Sequence, residues 1–553
     1  MRGLMMETPL LVTDMLRHAA VAHGNTEIVS RGINGNIYRY TYRQALDRCR
    51  RLSSALQAFD LEPGDRIGSL AWNTHHHFEL FYGVAGQGYV LHTLNPRLHD
   101  DSLVNIIRHA EDKWIFIDAA TITLAETLAP RLPQIRGWVF MDVGDTIPDT
   151  SLSNMISYES LLASQPADHQ WPDLDERAAS IMCYTSGTTG DPKGIVYSHR
   201  SIVLASLFMS AADMVGAFRS GHREAAMPVA PLFHANGWMM PFTAPMNGQK
   251  LVLPGRNFEA EKLCALINEE LVTVMAAVPT VWLAIAQHLA QANIEIPSLK
   301  AAMVAGTKAP KSLVGDLERR GISVGQVWGM TEAAGGVRAT PAPGTAEMSA
   351  DDQFARKMRQ GRIGFGTELR IVSDDASPLP HDGAALGHLE ARGPCVSSGY
   401  FKQDVSTDNG WLSTGDVARI HYDGSIEIID RSKDVIKSGG EWISSQAIEA
   451  AVLDHPAIAQ AAVIATHHAR WQERPLLVAV TKPDMIATAD QLLEHLRPRI
   501  PKWWMPDDIV FVDSLPVTAS GKIRKTELRN MLSDRFAIHL PQREADICAN
   551  PLP

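Results

Sequence analysis

Apolar residues recur at helical spacing over 10–20 and again over 42–59, where Ala45, Cys49, Leu52, Leu56 and Phe59 share one stripe, so both stretches predict amphipathic helices. A short apolar run over 67–71 precedes another helical pattern through Phe78, Leu80, Phe81 and Val84. Runs at 114–117, 138–141, 181–184, 250–253 and 272–277 read as strands with helical stretches between them. That alternation predicts an α/β fold built in layers.

Beyond Arg362 the texture changes to short strand-like runs at 368–372, 388–391 and 424–429, which predict a β-rich subdomain. A charged knot, Asp430-Arg431-Ser432-Lys433-Asp434, then interrupts the apolar pattern. After it come a helix over 445–453, strands at 461–465 and 476–480 and a helix over 489–496, the content of a small α+β domain. The expected organisation is a large multi-subdomain N-terminal domain over 1–430, a hinge over 431–434, a small mobile C-terminal domain over 435–540, and a fraying tail over 541–553.

Composition narrows the class. A chain of 553 residues exceeds one core, and domain sizes suggest roughly two to four. Apolar residues at 45% and charged residues at 20% suit a soluble globular protein, and a formal charge of −11 argues against coating nucleic acid. The five cysteines are scattered, with no C-x-x-C pair, as expected in a reducing compartment without structural zinc. Arg2, Glu7, Pro9 and Asp14 interrupt any signal-peptide core, and the apolar run over 274–286 is broken by Pro279 and Thr280, so no integral membrane segment and a cytoplasmic location are expected. His75-His76-His77 and His467-His468 come with no cysteine or carboxylate ligand set and read as solvated surface rather than a metal site.

The stretch Tyr184-Thr185-Ser186-Gly187-Thr188-Thr189-Gly190-Asp191-Pro192-Lys193-Gly194 concentrates hydroxyls, glycines and one lysine behind an apolar run. Glycine lets backbone N–H groups approach an anion, hydroxyls donate further bonds and Lys193 adds a compact charge, so polyphosphate is the natural guest. The spacing is not that of a P-loop, and a polar surface turn accounts equally well for the composition. In Trp328-Gly329-Met330-Thr331-Glu332 an aromatic can stack on a base, a hydroxyl can meet phosphate and a carboxylate can hold Mg²⁺; alone it also reads as a core tryptophan before a turn. Asp416, beyond Ser413-Thr414-Gly415, can accept ribose hydroxyls, and Lys522, beyond Ser520-Gly521, can aim a point charge; a plain turn and a surface lysine are the bland alternatives.

The order of these clusters, from about Leu10 to Leu532, resembles the adenylate-forming superfamily of acyl-CoA synthetases, luciferases and peptide-synthetase adenylation domains. The likeness is nearest to medium-chain fatty acid ligases and 3-methylmercaptopropionate ligases, through Trp-Gly-Met-Thr-Glu at Trp328, Lys-Ser-Gly-Gly-Glu-Trp-Ile-Ser at Lys437 and Trp-x-Glu-Arg-Pro at Trp471. It implies an ATP-dependent, AMP-forming ligase that joins a short- or medium-chain monocarboxylic acid to coenzyme A through an acyl-adenylate. Thr185, Ser186, Gly187, Thr188, Thr189 and Lys193 would form the phosphate loop; Gly306, Thr307, Lys308, Trp328, Gly329 and Met330 would line the adenine side; Thr331 would meet phosphate, and Glu332 would bind Mg²⁺. By the same likeness Asp416 and Arg431 hold the ribose, Lys433 is the hinge, Lys437, Gly439, Gly440, Glu441 and Trp442 border the pantetheine tunnel, and Lys522 serves the adenylation step. The catalytic set so implied is Lys522, Glu332, Thr185 and His234. The chain departs from the superfamily in carrying Trp328 where tyrosine is usual and Lys308 where small residues are common.

The mechanism implied is attack of the acid's carboxylate on the α-phosphorus of ATP, with Lys522 offsetting the charge of two anions, followed by attack of the coenzyme A thiolate once the small domain swings about Lys433 and withdraws Lys522. Pro231-Leu232-Phe233-His234-Ala235-Asn236-Gly237-Trp238 resembles the border of the acyl pocket. There His234 would be an aromatic wall, although a lone histidine among apolar residues equally suits a satisfied core position. Gly306, Trp238, Trp328 and Met330 would complete an apolar pocket, and no basic residue in the segment invites a second carboxylate. A thioether acid and a short fatty acid are nearly isosteric there. A ligase that stops at acyl-AMP or loads a carrier protein, and a luciferase-like oxygenase, share the clamp and remain alternatives; the likeness also allows a homodimer.

Overall fold

The computed structural model describes the chain apart from residues 2, 186–191, 212–223, 338, 340, 341, 343, 404–406, 408, 440, 518–522 and 534–553. The chain divides into two compact units, the first holding 1–185, 191–414 and 419–428, the second holding 415–418 and the residues from Ile429 onward.

The first unit contains two seven-stranded sheets of the same design. In one, Ser323–Gln326, Ala301–Val304, Val274–Ala277, Ala225–Pro228, Lys250–Leu253 and Glu27–Arg31 run parallel, and Ile37–Thr41 is added antiparallel at the edge. In the other, Met155–Ser157, Gly137–Met141, Trp114–Asp118, Arg66–Leu70, Val90–Thr93 and Ala179–Tyr184 run parallel, and Gly194–Ser198 is the antiparallel edge. Parallel strands covered on both faces favour near-continuous apolar runs, which is why the sequence shows them; every residue of Trp114–Asp118 is buried, Asp118 at its end included. Glu368–Val372, Gly387–Arg392, Leu412–Ile420 and Ile426–Arg431 follow one another in a four-stranded sheet, where the sequence predicts its β-rich stretch.

Helix Tyr42–Leu56 starts at a capping box: Gln44 N donates to Thr41 Oγ1 at 3.4 Å, and Thr41 N donates to Gln44 Oε1 at 2.9 Å. It packs on helix His75–Gly86 so closely that a Cβ on Gly83 would lie 2.5 Å from Leu52 Cδ2. Helix His75–Gly86 in turn touches Glu27–Arg31 of one seven-stranded sheet and Val90–Thr93 and Ala179–Tyr184 of the other, and all its residues are buried.

That burial corrects the expectation of a solvated histidine cluster. His75 Nδ1 lies 3.2 Å from Ser30 Oγ and its ring stacks on Tyr38 with centroids 4.2 Å apart; His76 Nε2 meets Glu159 Oε1 at 3.1 Å; His77 Nε2 meets Ser69 Oγ at 3.1 Å. Successive residues of a helix face different ways, so three adjacent imidazoles satisfy three separate neighbours. Among the described residues His75, His76 and Glu159 are the one group close enough to hold a metal ion. Arg48, however, already donates to both Glu159 oxygens at 2.6 and 2.9 Å and to Glu79 at 2.7 Å, so the trio is an ion-pair network saturated by a guanidinium. Burial would raise the Glu159 pKa, but bonds from His76 and Arg48 hold it down at about 2. His467 and His468 end the strand Ile458–His468, where His468 Nδ1 accepts from Arg470 N and Trp471 N at 3.1 and 3.2 Å and shapes a turn.

The second unit carries a five-stranded sheet ordered Glu441–Ile443, Ile436–Ser438, Gln472–Thr481 and Ile458–His468, with Asp508–Phe511 parallel to Gln472–Thr481. Its two faces are sorted by the pleat. Val463, Leu477 and Ala479 pack under helices Ser445–Leu453 and Ala489–Leu496, while Ala462, Ile464, Leu476 and Val478 pack on Leu528 and Leu532 of helix Lys525–Leu532.

Burial lowers the pKa of His77 from 6.5 to about 4. The unfolded chain therefore takes up the proton first, and the stability that neutral His77 contributes above pH 6.5 is lost as the pH falls toward 4. Thermal unfolding across that window should show a smaller fall in Tm for His77→Gln than for the wild type; equal falls would remove His77 as a source of acid sensitivity.

Candidate active site

Four parallel strands, Ala225–Pro228, Val274–Ala277, Ala301–Val304 and Ser323–Gln326, end at one edge of their sheet, so the segments that follow them gather there. Val229 N donates to Ala276 O at 3.0 Å and Val327 N donates to Val304 O at 2.9 Å, keeping these segments in register as they leave. Gly306, Thr307, Lys308 and the run Trp328–Glu332 are thereby neighbours by topology. Trp328, Thr331 and Glu332 are buried, Met330 and Lys308 are half-buried, and Gly306, Thr307 and Gly329 are exposed. Lys308 Nζ lies 3.3 Å from Glu427 Oε1, so the amine in the wall is neutralised by a carboxylate.

The segment after Ala225–Pro228 is held by Asn73, whose amide donates to Pro228 O and Ala230 O at 2.9 and 3.1 Å and accepts from Leu232 N at 2.9 Å. His234 follows in extended conformation, and then Ala235, Asn236, Gly237, Trp238 and Met239 all take positive φ, between 40° and 64°. A left-handed turn of this kind costs roughly 1–2 kcal/mol for each non-glycine residue. It persists because the flanks are fixed: Thr93 Oγ1 donates to Phe233 O at 3.4 Å, and the Cys183 thiol lies 3.7 Å from Asn236 Oδ1. The effect is to turn the chain sharply between His234 and Trp238, both half-buried.

The strands that flank the hydroxyl- and glycine-rich stretch, Ala179–Tyr184 and Gly194–Ser198, pair antiparallel as a hairpin. Thr185 N donates to Lys193 O at 2.9 Å and Lys193 N lies 3.4 Å from Thr185 Oγ1, which closes the neck. Ser186, Gly187, Thr188 and Thr189 lie outside the described residues, as do Gly440 and Lys522. Lys193 Nζ stands 4.7 Å from the centroid of the Tyr400 ring, and Tyr400 OH donates to Glu332 Oε1 at 3.1 Å. One tyrosine therefore holds a cation on its face and a carboxylate at its tip. Tyr197 OH donates to Thr331 O at 2.5 Å and Ser397 N donates to Glu332 O at 2.7 Å, so the Thr331-Glu332 backbone is fixed from two sides. Sequence reasoning passed over Tyr400, whose only signal is an aromatic pair, Tyr400-Phe401, ending the turn-like Ser397-Ser398-Gly399.

In the second unit Arg431 Nε pairs with Asp416 Oδ1 at 3.1 Å, bringing the two ribose candidates together. Lys433 is exposed, but its carbonyl accepts from Arg529 at 3.2 Å, and Arg529 also pairs with Asp434 at 2.6 Å. Lys437 Nζ sits 5.1 Å from the Trp442 ring centroid, and Glu441 is exposed. Gly439 has φ +60°, donates its N–H to Trp471 O at 2.9 Å, and would press a Cβ to 3.0 Å from the Trp471 ring. Arg474, also missed in the sequence, props this corner through Trp503 O and Met505 O at 2.8 and 2.9 Å.

Comparison with known proteins gives the family and the fold. The family described as AMP-binding enzyme matches residues 16–401, and the AMP-binding enzyme C-terminal domain matches 447–522. A 3-methylmercaptopropionyl-CoA ligase of Ruegeria lacuscaerulensis is 41% identical, covering 97% of this chain and 99% of its own. A medium-chain-fatty-acid–CoA ligase of Ectopseudomonas oleovorans is 39% identical (97% and 98%), and a long-chain-fatty-acid–CoA ligase of Thermus thermophilus is 38% identical (96% and 97%). Among solved structures, an anthranilate CoA ligase in complex with anthranoyl-AMP superposes with a TM-score of 0.81 at 22% identity, over 95% of this chain and 98% of that one, which establishes the fold.

The Tyr400 bridge carries a prediction. Tyr400→Phe loses the bond to Glu332 but keeps the ring under Lys193, and should weaken binding of ATP with Mg²⁺ roughly tenfold, the order expected for a hydrogen bond to a charged group. Tyr400→Leu loses both contacts and should weaken it further. Titration calorimetry measures both, and unchanged affinity in Tyr400→Leu would remove Tyr400 from the site.

Proposed function

The chain belongs to the AMP-binding enzyme family as an AMP-forming acyl-CoA ligase, and on that premise we propose that its acid is a short- or medium-chain monocarboxylate of the fatty acid or 3-methylthiopropionate kind. The observation that supports adenylation by this chain is the Lys193–Tyr400–Glu332 bridge, because adenylation needs a cation and a metal-binding carboxylate at one polyphosphate; the acid class rests on the relatives at 41% and 39% identity.

A carboxylate is a poor acyl donor because its leaving group would be oxide. Attack of the acid's oxygen on the α-phosphorus of ATP expels pyrophosphate and leaves an acyl-AMP whose leaving group is good. Lys193 takes the charge of the departing pyrophosphate, and by the likeness to the family Lys522, outside the described residues, would offset the charge of the acid's carboxylate and the α-phosphate, a role in which loss of one preorganised charge typically costs about 10²- to 10³-fold in rate. Glu332 fits Mg²⁺: it offers a hard oxygen donor in a buried setting, steadied by Tyr400, and the ion bound there would neutralise charge on phosphate oxygens. Asp416, oriented by Arg431, accepts the ribose hydroxyls.

In the second step the coenzyme A thiolate attacks the adenylate carbonyl and AMP leaves. By the likeness to the family Lys433 would be the pivot, and Lys522 and Gly440, both outside the described residues, would serve the first and the second step in turn. We place the chemistry in the cytoplasm, where ATP and coenzyme A are at hand. Identities of 41%, 39% and 38% to relatives named for different acids do not rank those acids, so chain length is decided locally, by His234, Trp238, Trp328 and Met330.

Incubation with ATP, Mg²⁺, coenzyme A and C2 to C12, branched, aromatic and methylthio acids, following AMP and thioester, should give thioester best with the short and medium chains; no thioester with any acid would refute the ligase reading. Lys522→Ala should abolish adenylate formation yet still turn supplied acyl-AMP and coenzyme A into thioester. If Trp238 limits pocket depth, Trp238→Ala should move the preferred acid longer, with each methylene changing kcat/KM by roughly 10- to 200-fold. An unchanged chain-length profile would take Trp238 out of the pocket wall.

A further inference from the structure

The neck of the phosphate hairpin is held by more than its own hydrogen bonds. Tyr184, the last residue of Ala179–Tyr184, pairs with Gly194 across the hairpin, and its ring lies where a side chain on Gly194 would be, 3.0 Å from an ideal Cβ there. The Tyr184 hydroxyl is 2.6 Å from Nδ1 of His109, in the last turn of helix Asp100–Ala110. The His109 ring meets Phe401 edge-on at 5.7 Å, and Phe401 N donates to Gly194 O at 2.8 Å. The contacts thus close a circuit, Tyr184 to His109 to Phe401 to Gly194 and back to Tyr184, around the residues on either side of Thr185 and Lys193. The same circuit reaches Tyr400, the neighbour of Phe401, which bridges Lys193 and Glu332.

The charged groups around His109 are paired with one another. Lys402 Nζ donates to His109 O at 3.0 Å and pairs with Glu111 at 2.5 Å, Glu111 pairs with Arg66 at 2.7 Å, and the His92 ring, 5.0 Å from Tyr184, is bonded through Nδ1 to Asp112 at 2.8 Å. Burial lowers the His109 pKa, with Lys402 adding to the effect, and burial raises that of Tyr184. The phenol therefore keeps its proton and donates it to a neutral imidazole.

We propose that Tyr184 and His109 are positioning residues that anchor the phosphate hairpin, so that adenylate formation depends on their bond while thioester formation does not. Neither touches the reacting atoms. The inference rests on the reading of the hairpin as the site that grips the departing pyrophosphate, a group absent from the second step.

The test separates the two steps. Tyr184→Phe keeps the ring over Gly194 and removes only the hydroxyl; it and His109→Ala should each raise the Kd for ATP with Mg²⁺ and slow ATP-dependent pyrophosphate release, by about tenfold for one hydrogen bond of this kind. His109→Gln, which keeps an acceptor, should recover most of both. Conversion of supplied acyl-AMP and coenzyme A to thioester should proceed at the wild-type rate in all three variants. Parallel loss in both half-reactions would reduce the pair to a structural role and overturn the proposal, as would ATP affinity equal to wild type in Tyr184→Phe and His109→Ala. A wild-type chain that binds no ATP would overturn the functional reading itself and this inference with it, an outcome told apart by the wild-type titration alone.

Discussion

Parallel strand direction is the constraint on which the site depends. Because Ala225–Pro228, Val274–Ala277, Ala301–Val304 and Ser323–Gln326 all point one way, the chain leaves all of them at the same edge, and residues 229–239, 305–310 and 327–332 meet there although they are far apart in sequence. An antiparallel strand at that place would have put its loop at the opposite edge. The second seven-stranded sheet contributes the hairpin after Ala179–Tyr184, and helix His75–Gly86, which touches strands of both sheets, ties the two together. Thr93 and Cys183 on one sheet reach Phe233 and Asn236 on the segment leaving the other, so that segment and the strand leading to Thr185 share a boundary.

The histidines of that buried helix show how polar groups survive in such a place. An unpaired imidazole there would cost the desolvation of its polar nitrogens, and one nitrogen of each ring has found a side-chain partner: a serine of either sheet for His75 and His77, and Glu159 for His76, with His75 Nε2 left unbonded. Glu159 and Glu79 in turn share Arg48, and Tyr158 OH donates to Glu79 at 2.7 Å. Removing one member of such a network leaves the others buried without compensation, which is costlier than the pair itself is stabilising.

These contacts also mark where the sequence stops being legible. Runs such as 250–253 and 368–372 coincide with strands and 445–453 and 489–496 with helices, because each is decided by local periodicity and burial. Clusters such as Trp328–Glu332 pointed to the family because their order along the chain is characteristic, not because any one is. The three histidines were misread as surface because composition alone says nothing of a helix enclosed by two sheets. Tyr400 was invisible for a related reason: its value lies in Lys193 and Glu332, which only the fold brings to it. The left-handed turn at Ala235–Met239 contradicts local preference and is held by long-range bonds, the situation in which propensity is a poor guide.

Glycine is where motif and structure diverge most usefully. In a hydroxyl- and glycine-rich clamp, each glycine invites the same explanation, close approach of backbone to phosphate. Gly194 has another: the space its side chain would fill belongs to the Tyr184 ring, on whose far end His109 holds the hydroxyl. Gly439, in the stretch assigned to the pantetheine tunnel, combines a left-handed backbone with contact against Trp471, so a substituent there meets both strain and protein before it meets any ligand. Two glycines kept for packing thus stand at the margins of two stretches assigned to ligands, and each anchors its stretch to an aromatic ring. A loop that must present donors to a changing guest needs a fixed base more than it needs further freedom, and at both places the glycine is what lets an aromatic side chain form that base.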